Sequence, residues 1–250
     1  MNPNQRARNY LSSAFTEPIR DPLWNHIYLP PEMAKLTGTA PFQQLARIKQ
    51  LGPTYLVYPG ATHTRLNHSL GVFHIARRVM AHLLAHEDAP RVELAGVKAF
   101  LAAALLHDLG HFPFTHSLKG LPLAEHEELT GRIILESELA RIIRDDIGAE
   151  PGFVAAIVDD EFDHPSREEL KLYRRLLSGS LDPDKLDYLN RDAYFCGVPY
   201  GIQDLDYVLS RLRPNGYEGI AVDITGGSAV ENILFSKYKM YRAVYWHRTV

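Results

Sequence analysis

Cysteine is nearly absent: Cys196 stands alone among 250 residues. A single thiol excludes an internal disulfide and suits a reducing compartment. Excess positive charge is missing too. The 27 Lys and Arg against 30 Asp and Glu leave a net charge of -3, so the chain has no electrostatic footprint for duplex nucleic acid and no such partner is expected. No apolar run reaches the roughly 20 residues needed to span a bilayer, and the opening MNPNQRARNY lacks the apolar core of a secretion signal. Repeats, low-complexity tracts and an interdomain linker are also missing. These absences predict a cytoplasmic protein without membrane contact.

What is present is enough apolar sequence for a core and a supply of histidine. Apolar residues are 46% and charged residues 23%, the proportions of a soluble domain. The chain has 12 histidines, several of them between His107 and His126. Residues 1–18 read as a polar lead-in, and 19–250 as one domain. Proline punctuation and β-formers over 18–31 predict a short strand or hairpin. Helical patterns follow over 32–50 (broken near Gly38–Pro41), 66–87, 92–108, 124–146, 151–159 and 165–178. Asp182-Pro183-Asp184 is a helix start, with a capping carboxylate and proline at the first helical position; that helix runs to about Phe195. A short strand over 217–224, a Gly226-Gly227 turn and a final helix over 229–250 complete a mainly α chain with one or two short hairpins. That last helix is still amphipathic at Val250, so the natural protein is expected to continue.

The most informative local feature is His107-Asp108, at the end of the very apolar stretch Val97–Leu106. Such a helix is buried on most of its circumference. Ending it in an adjacent imidazole and carboxylate puts two ionisable groups at the edge of a core, where desolvation is costly unless they are paired or metal-bound. Read alone, the pair is better explained as a helix cap, with His107 closing the C-terminus and Asp108 accepting hydrogen bonds nearby; its surroundings reverse that reading. His68 and Asp184 lie on other helices and offer further nitrogen and oxygen donors. Asp184, Tyr188 and Asp192 are spaced i, i+4, i+8 and share one face, with Leu186 and Leu189 directed to the core. A solvated stripe laced by Asp187 and Arg191 is the alternative reading of that helix.

Together these residues form a His … His-Asp … Asp set that resembles the HD superfamily of metal-dependent phosphohydrolases. Phe42–Gly52, Tyr58–Val72, His107–His116, Asp184–Tyr188 and Tyr241–Thr249 are similar to its deoxynucleoside triphosphate triphosphohydrolase (SAM-and-HD) branch. The resemblance implies an HD-domain helical bundle in which His68, His107, Asp108 and Asp184 hold a divalent ion. Mn, Fe, Mg, Zn and Ni all suit such donors. It assigns His111 and His126 to attack or proton transfer, and Arg65, His116, Lys185 and Tyr188 to the phosphates. Gln50 and Asp192 match groups reading the sugar, and Tyr245 an aromatic near sugar and base. A nucleotide substrate and a homo-oligomer, dimer or tetramer, are further implications.

Two departures stand out. Where the family orients its catalytic histidine with an acidic residue, this chain has Lys119; Glu125 or Glu127 could substitute, or Lys119 is an added phosphate contact for a different phosphate group. Where guanine-nucleotide-activated members carry an acidic residue and an arginine, this chain has Gly38 and Ala46, so no activator site of that kind is expected. The leading expectation is hydrolysis of a deoxynucleoside triphosphate to deoxynucleoside and triphosphate. Alternatives are hydrolysis of another nucleotide or of nucleic-acid ends, and a nucleotide-binding regulatory module without turnover.

Overall fold

Helices form almost everywhere the apolar period is 3.6, and they assemble around one buried helix. The computed structural model describes residues 2–114, 118 and 121–248. In chain order it has α1 (Pro3–Ser13), a hairpin of β1 (Glu17–Asp21) and β2 (Asn25–Leu29), then α2 (Pro31–Thr37) and α3 (Ala40–Gln44). The long α4 (Arg65–Ala85) and α5 (Leu94–Leu106) follow, then α6 (His126–Glu136), α7 (Glu138–Arg141), α8 (Pro151–Val158), α9 (Arg167–Leu177) and α10 (Pro183–Cys196). The chain closes with α11 (Leu205–Arg211), a small hairpin of β3 (Leu212–Pro214) and β4 (Ile220–Val222), and α12 (Gly227–Met240). Both hairpins are antiparallel; β1 pairs β2 in the register Glu17 to Leu29 and Asp21 to Asn25.

From Gly96 to Leu106 only Lys98 of α5 is not buried. Helix α5 packs between α4 and α8, and α4 also carries α10. This arrangement aims the start of α4, the end of α5 and the first turns of α10 at one place. Thr64 fixes the α4 start, its backbone N–H donating to Asn67 Oδ1 at 3.0 Å. Asp182 fixes the α10 start by accepting from Lys185 N at 2.7 Å.

The structure differs from the sequence reading at several elements. Residues 3–13 of the polar lead-in are helical, and β1 begins at Glu17. Helix α1 docks because Ala7 and Leu11 are buried in the core. Asn4 is buried with them: it donates to Pro90 O at 3.0 Å and accepts from Val92 N at 2.9 Å. Helix α11 was not foreseen, although Leu205, Val208 and Leu209 supply a buried i, i+3, i+4 stripe. The final helix begins at Gly227 and gives way to a wider π-type turn over Tyr241–Tyr245. His82, near the end of α4, is half-buried with Nε2 3.1 Å from Leu212 O. No helix among the described residues is long and apolar enough to cross a membrane.

Candidate metal centre

The helix termini converge on His68, His107 and Asp184. One donor atom from each lies within 4.8 Å of the other two. His68 Nε2 is 2.9 Å from Asp184 Oδ1. His107 points its Nδ1 at Ala104 O, 3.0 Å away in its own helix, which makes that nitrogen the donor and leaves Nε2 as a lone pair. That Nε2 is buried without a hydrogen-bond partner, 3.9 Å from Asp184 Oδ1 and 3.5 Å from Asp108 Oδ1. A buried lone pair facing two carboxylates is the arrangement a divalent cation satisfies, so these residues fit a metal.

Asp108 stands at the edge of this group. Its Oδ2 accepts from Arg65 Nη1 at 2.7 Å and is 4.0 Å from His68 Nε2; its Oδ1 is 3.2 Å from His111 Nε2. Despite burial, Arg65, His107 and His111 hold its carboxyl well below the usual range. Burial alone would depress the His68 imidazole, but hydrogen bonds to Asp184 and Asp187 and the field of Asp108 push it up to about 10. His111 moves the other way, down to about 4. Burial dominates there, opposed by Asp108 and reinforced by Arg65 and His126.

His126 reaches the site from the start of α6, and a glycine allows it. Gly110 N donates to Thr130 Oγ1 at 2.8 Å, and that hydroxyl also bonds the carbonyls of His107 and His126. A Cβ on Gly110 would sit 2.0 Å from His126 O. The close approach stacks the His111 and His126 rings, centroids 3.9 Å apart. Glu127 Oε2 is 3.0 Å from His126 Nδ1; Glu127 is one of the two glutamates that the sequence offered in place of the acidic residue replaced by Lys119. Lys119 and His116 themselves lie outside the described residues.

A cavity of about 570 Å³ opens from the metal donors, lined among others by Gln50, Arg65, His111, Tyr188, Asp192 and Tyr245. Gln50 Oε1 and Arg65 Nε are buried in its wall without partners. Asp192 Oδ1 is 2.7 Å from His63 Nε2, and its Oδ2 accepts from the Tyr245 hydroxyl at 2.7 Å. Burial, with Asp184 nearby, raises the Tyr188 phenol; burial and Asp192 raise that of Tyr245. Tyr241 and the exposed Trp246 form an aromatic rim, ring centroids 5.2 Å apart.

Lys185 is the described site candidate that does not line the cavity. Its ammonium is held by Asp182 Oδ2 and by Gly179 O at 3.1 Å. Asp182 is buried and needs a cation. Sequence reasoning missed Asp187 and Arg191 as site supports. Both side chains are fully buried and paired, Nε to Oδ2 at 2.8 Å, so the solvated-stripe reading fails for them. Their signal was the i, i+4 charge pair that brackets the core position Leu189.

A helical domain with a His/His/Asp cluster at the base of a cavity of mixed polar and aromatic lining is thus the class of protein that fold and site define. The chain belongs to the HD domain family, whose model matches residues 65–189. It is 39% identical to the uncharacterized protein YwfO of Bacillus subtilis, over 92% of this chain and 51% of that protein. It is 32% identical to the deoxynucleoside triphosphate triphosphohydrolase SAMHD1 of Gallus gallus, over 72% of this chain and 34% of that protein. Among solved structures it is similar to a phosphohydrolase from Bacteroides thetaiotaomicron, with a TM-score of 0.79 and 31% identity, covering 92% of this chain and 54% of that one. The chain spans about half the length of the curated relatives it matches first.

Proposed function

We propose that this chain is a metal-dependent nucleotide phosphohydrolase, with a deoxynucleoside triphosphate as the leading substrate. The observation that carries this reading is the joint presence, in one cavity, of the unpartnered His107 Nε2 lone pair, the unpartnered Arg65 Nε donor and the unpartnered Gln50 Oε1 acceptor. The cavity volume falls in the range of small-molecule sites. HD-family membership and the names of two relatives support the same chemistry.

His68, His107 and Asp184, with Asp108 beside them, would hold a divalent ion, which when bound polarises a phosphoryl oxygen and lowers the pKa of water. Arg65, fixed by Asp108, presents a charge-assisted donor to a phosphate oxygen. Tyr188 adds a neutral hydroxyl, and Lys185 joins only if its ammonium leaves Asp182. His116 completes the phosphate set by resemblance alone. His111, neutral near pH 7, accepts a proton, and His126, steadied by Glu127, transfers one at the phosphoester. Gln50, Asp192 and Tyr245 read the sugar. The aromatic rim of Tyr241 and Trp246 favours one second reading, a single-stranded nucleic-acid end whose last base stacks there.

The test is a panel of ribo- and deoxynucleotides and short oligonucleotides incubated with metal-loaded protein. Products are scored as phosphate, pyrophosphate or triphosphate. Triphosphate release from deoxynucleotides supports the proposal; cleavage confined to oligonucleotides transfers it to the second reading. Binding without any product overturns the assignment as an enzyme. The same preparation tests the remaining proposals, a homo-oligomer by light scattering and the lack of guanine-nucleotide activation at Gly38 and Ala46 by added GTP.

A further inference from the structure

Behind the metal donors lies a second, fully buried set of charges that none of the assigned roles uses. Asp187 receives four hydrogen bonds. Its Oδ2 is 2.9 Å from His68 Nδ1 and 2.8 Å from Arg191 Nε. Its Oδ1 accepts from Arg191 Nη2 at 3.0 Å and from Trp24 Nε1 at 2.6 Å. Arg191 Nη1 continues to Asp21 Oδ2 at 2.9 Å, and Asp21 Oδ1 caps the hairpin turn by accepting from Leu23 N and Trp24 N. The series runs from His68 on α4, through α10, to the turn between β1 and β2.

Packing around the set is equally specific. Gly71 lies three residues beyond His68 on α4. A Cβ there would fall 1.9 Å from Asp187 Oδ1 and 2.5 Å from Arg191 Nη2. Glycine therefore admits the carboxylate to the helix surface beside His68. Burying Asp187 without a counter-charge would be costly, and Arg191 supplies it.

We propose that Asp187 is a positioning residue for the metal centre: it holds the proton on His68 Nδ1, so that Nε2 faces the ion as a lone pair in a fixed ring orientation. Trp24 and Arg191 fix the carboxylate in turn, and Gly71 makes room for it. His107 obtains the same service from a backbone carbonyl, Ala104 O, which no side-chain substitution can remove. The two histidine ligands therefore differ in how they can be perturbed. This inference rests on the metal reading of His68, His107 and Asp184.

The experiment titrates metal-stripped full-length chain with Co²⁺, reading the visible absorption spectrum, with thermal melting of the metal-free proteins alongside. Outer partners of ligating histidines typically set metal affinity by about 10–100-fold. Asp187→Asn and Gly71→Ala are expected to weaken Co²⁺ binding by that factor and to alter the spectrum. Asp187→Leu/Arg191→Met removes the charge pair together, so that a folded chain without the positioning carboxylate can be tested even where the single variants fold poorly. Folded variants that bind Co²⁺ within about twofold of the native chain, with an unchanged spectrum, overturn the proposal. Native chain that binds no Co²⁺ overturns the underlying metal reading as well, and the two failures are thereby told apart.

Discussion

The imidazoles of His111 and His126 stack face to face, centroids 3.9 Å apart and planes 28° from parallel, although fifteen positions separate them in sequence. One ring sits just past the end of α5 and the other opens α6. The pair is held at its two ends by different carboxylates, Asp108 at His111 and Glu127 at His126. Neither histidine belongs to the His68/His107/Asp184 donor cluster, although His126 lies in a second, more exposed group with Glu125 and Glu127. The proposed function gives this pair proton transfer rather than metal holding. His111→Ala and His126→Ala are each expected to lower turnover by about 10²–10⁴-fold while leaving metal content unchanged. Elemental analysis beside a product assay checks this, and loss of metal in either variant would reassign that residue as a ligand.

The stacked pair depends on Gly110. Any side chain there meets His126 O and Thr130 N, which the turn cannot avoid without parting from α6. Gly110→Ala is expected to destabilise the fold by about 1–3 kcal/mol and to depress turnover beyond what the melting curve explains. A variant with native activity at temperatures where it is fully folded would contradict this.

Much of this geometry was legible in the sequence, for identifiable reasons. The apolar run before His107 announced a buried helix, and Asp182-Pro183 announced the start of α10. Both signals are local and are read from spacing alone. Helix α1 was not legible as part of the core, because Asn4, Ala7 and Leu11 make a narrow stripe on a polar segment. Its polar member is satisfied only by the distant residues Pro90 and Val92. Asp187 was missed for a related reason. An Asp-Arg pair at i, i+4 looks the same in sequence whether it faces water or a buried histidine. What separates the two cases is Gly71, far away in the chain, whose missing side chain opens the space. Lys185 shows the opposite case: family resemblance puts it on phosphate, while in the structure its ammonium is tied to the buried Asp182.

Metal removal gives a third expectation. Chelation should abolish turnover and lower the melting temperature, because an ion bound only by the native state stabilises it, by about 2.7 kcal/mol at a hundredfold excess over Kd. Asp184→Ala should lose both the ion and the chelator-sensitive part of stability. Scanning calorimetry with and without chelator measures it, and an Asp184→Ala chain with native metal content would contradict the site.

The fourth concerns acid stability and rests on His74, which no catalytic role claims. Its ring stacks on Trp24, centroids 5.9 Å apart. Burial, joined by Arg78 and Arg77, lowers its pKa from 6.5 to about 4, against the weaker pull of Asp187 and Asp21. The folded protein therefore keeps His74 neutral where the unfolded chain already binds a proton. Stability from this residue is complete above pH 6.5, falls as the pH drops from about 6.5 to about 4, and changes no further below that. The full shift corresponds to at most about 3 kcal/mol. His74→Phe keeps an aromatic ring against Trp24 and removes the titration. Urea melts at several pH values between 7.5 and 4 should give a flatter profile for the variant than for the native chain. Parallel profiles would show that His74 takes up its proton without cost and that the acid sensitivity lies elsewhere.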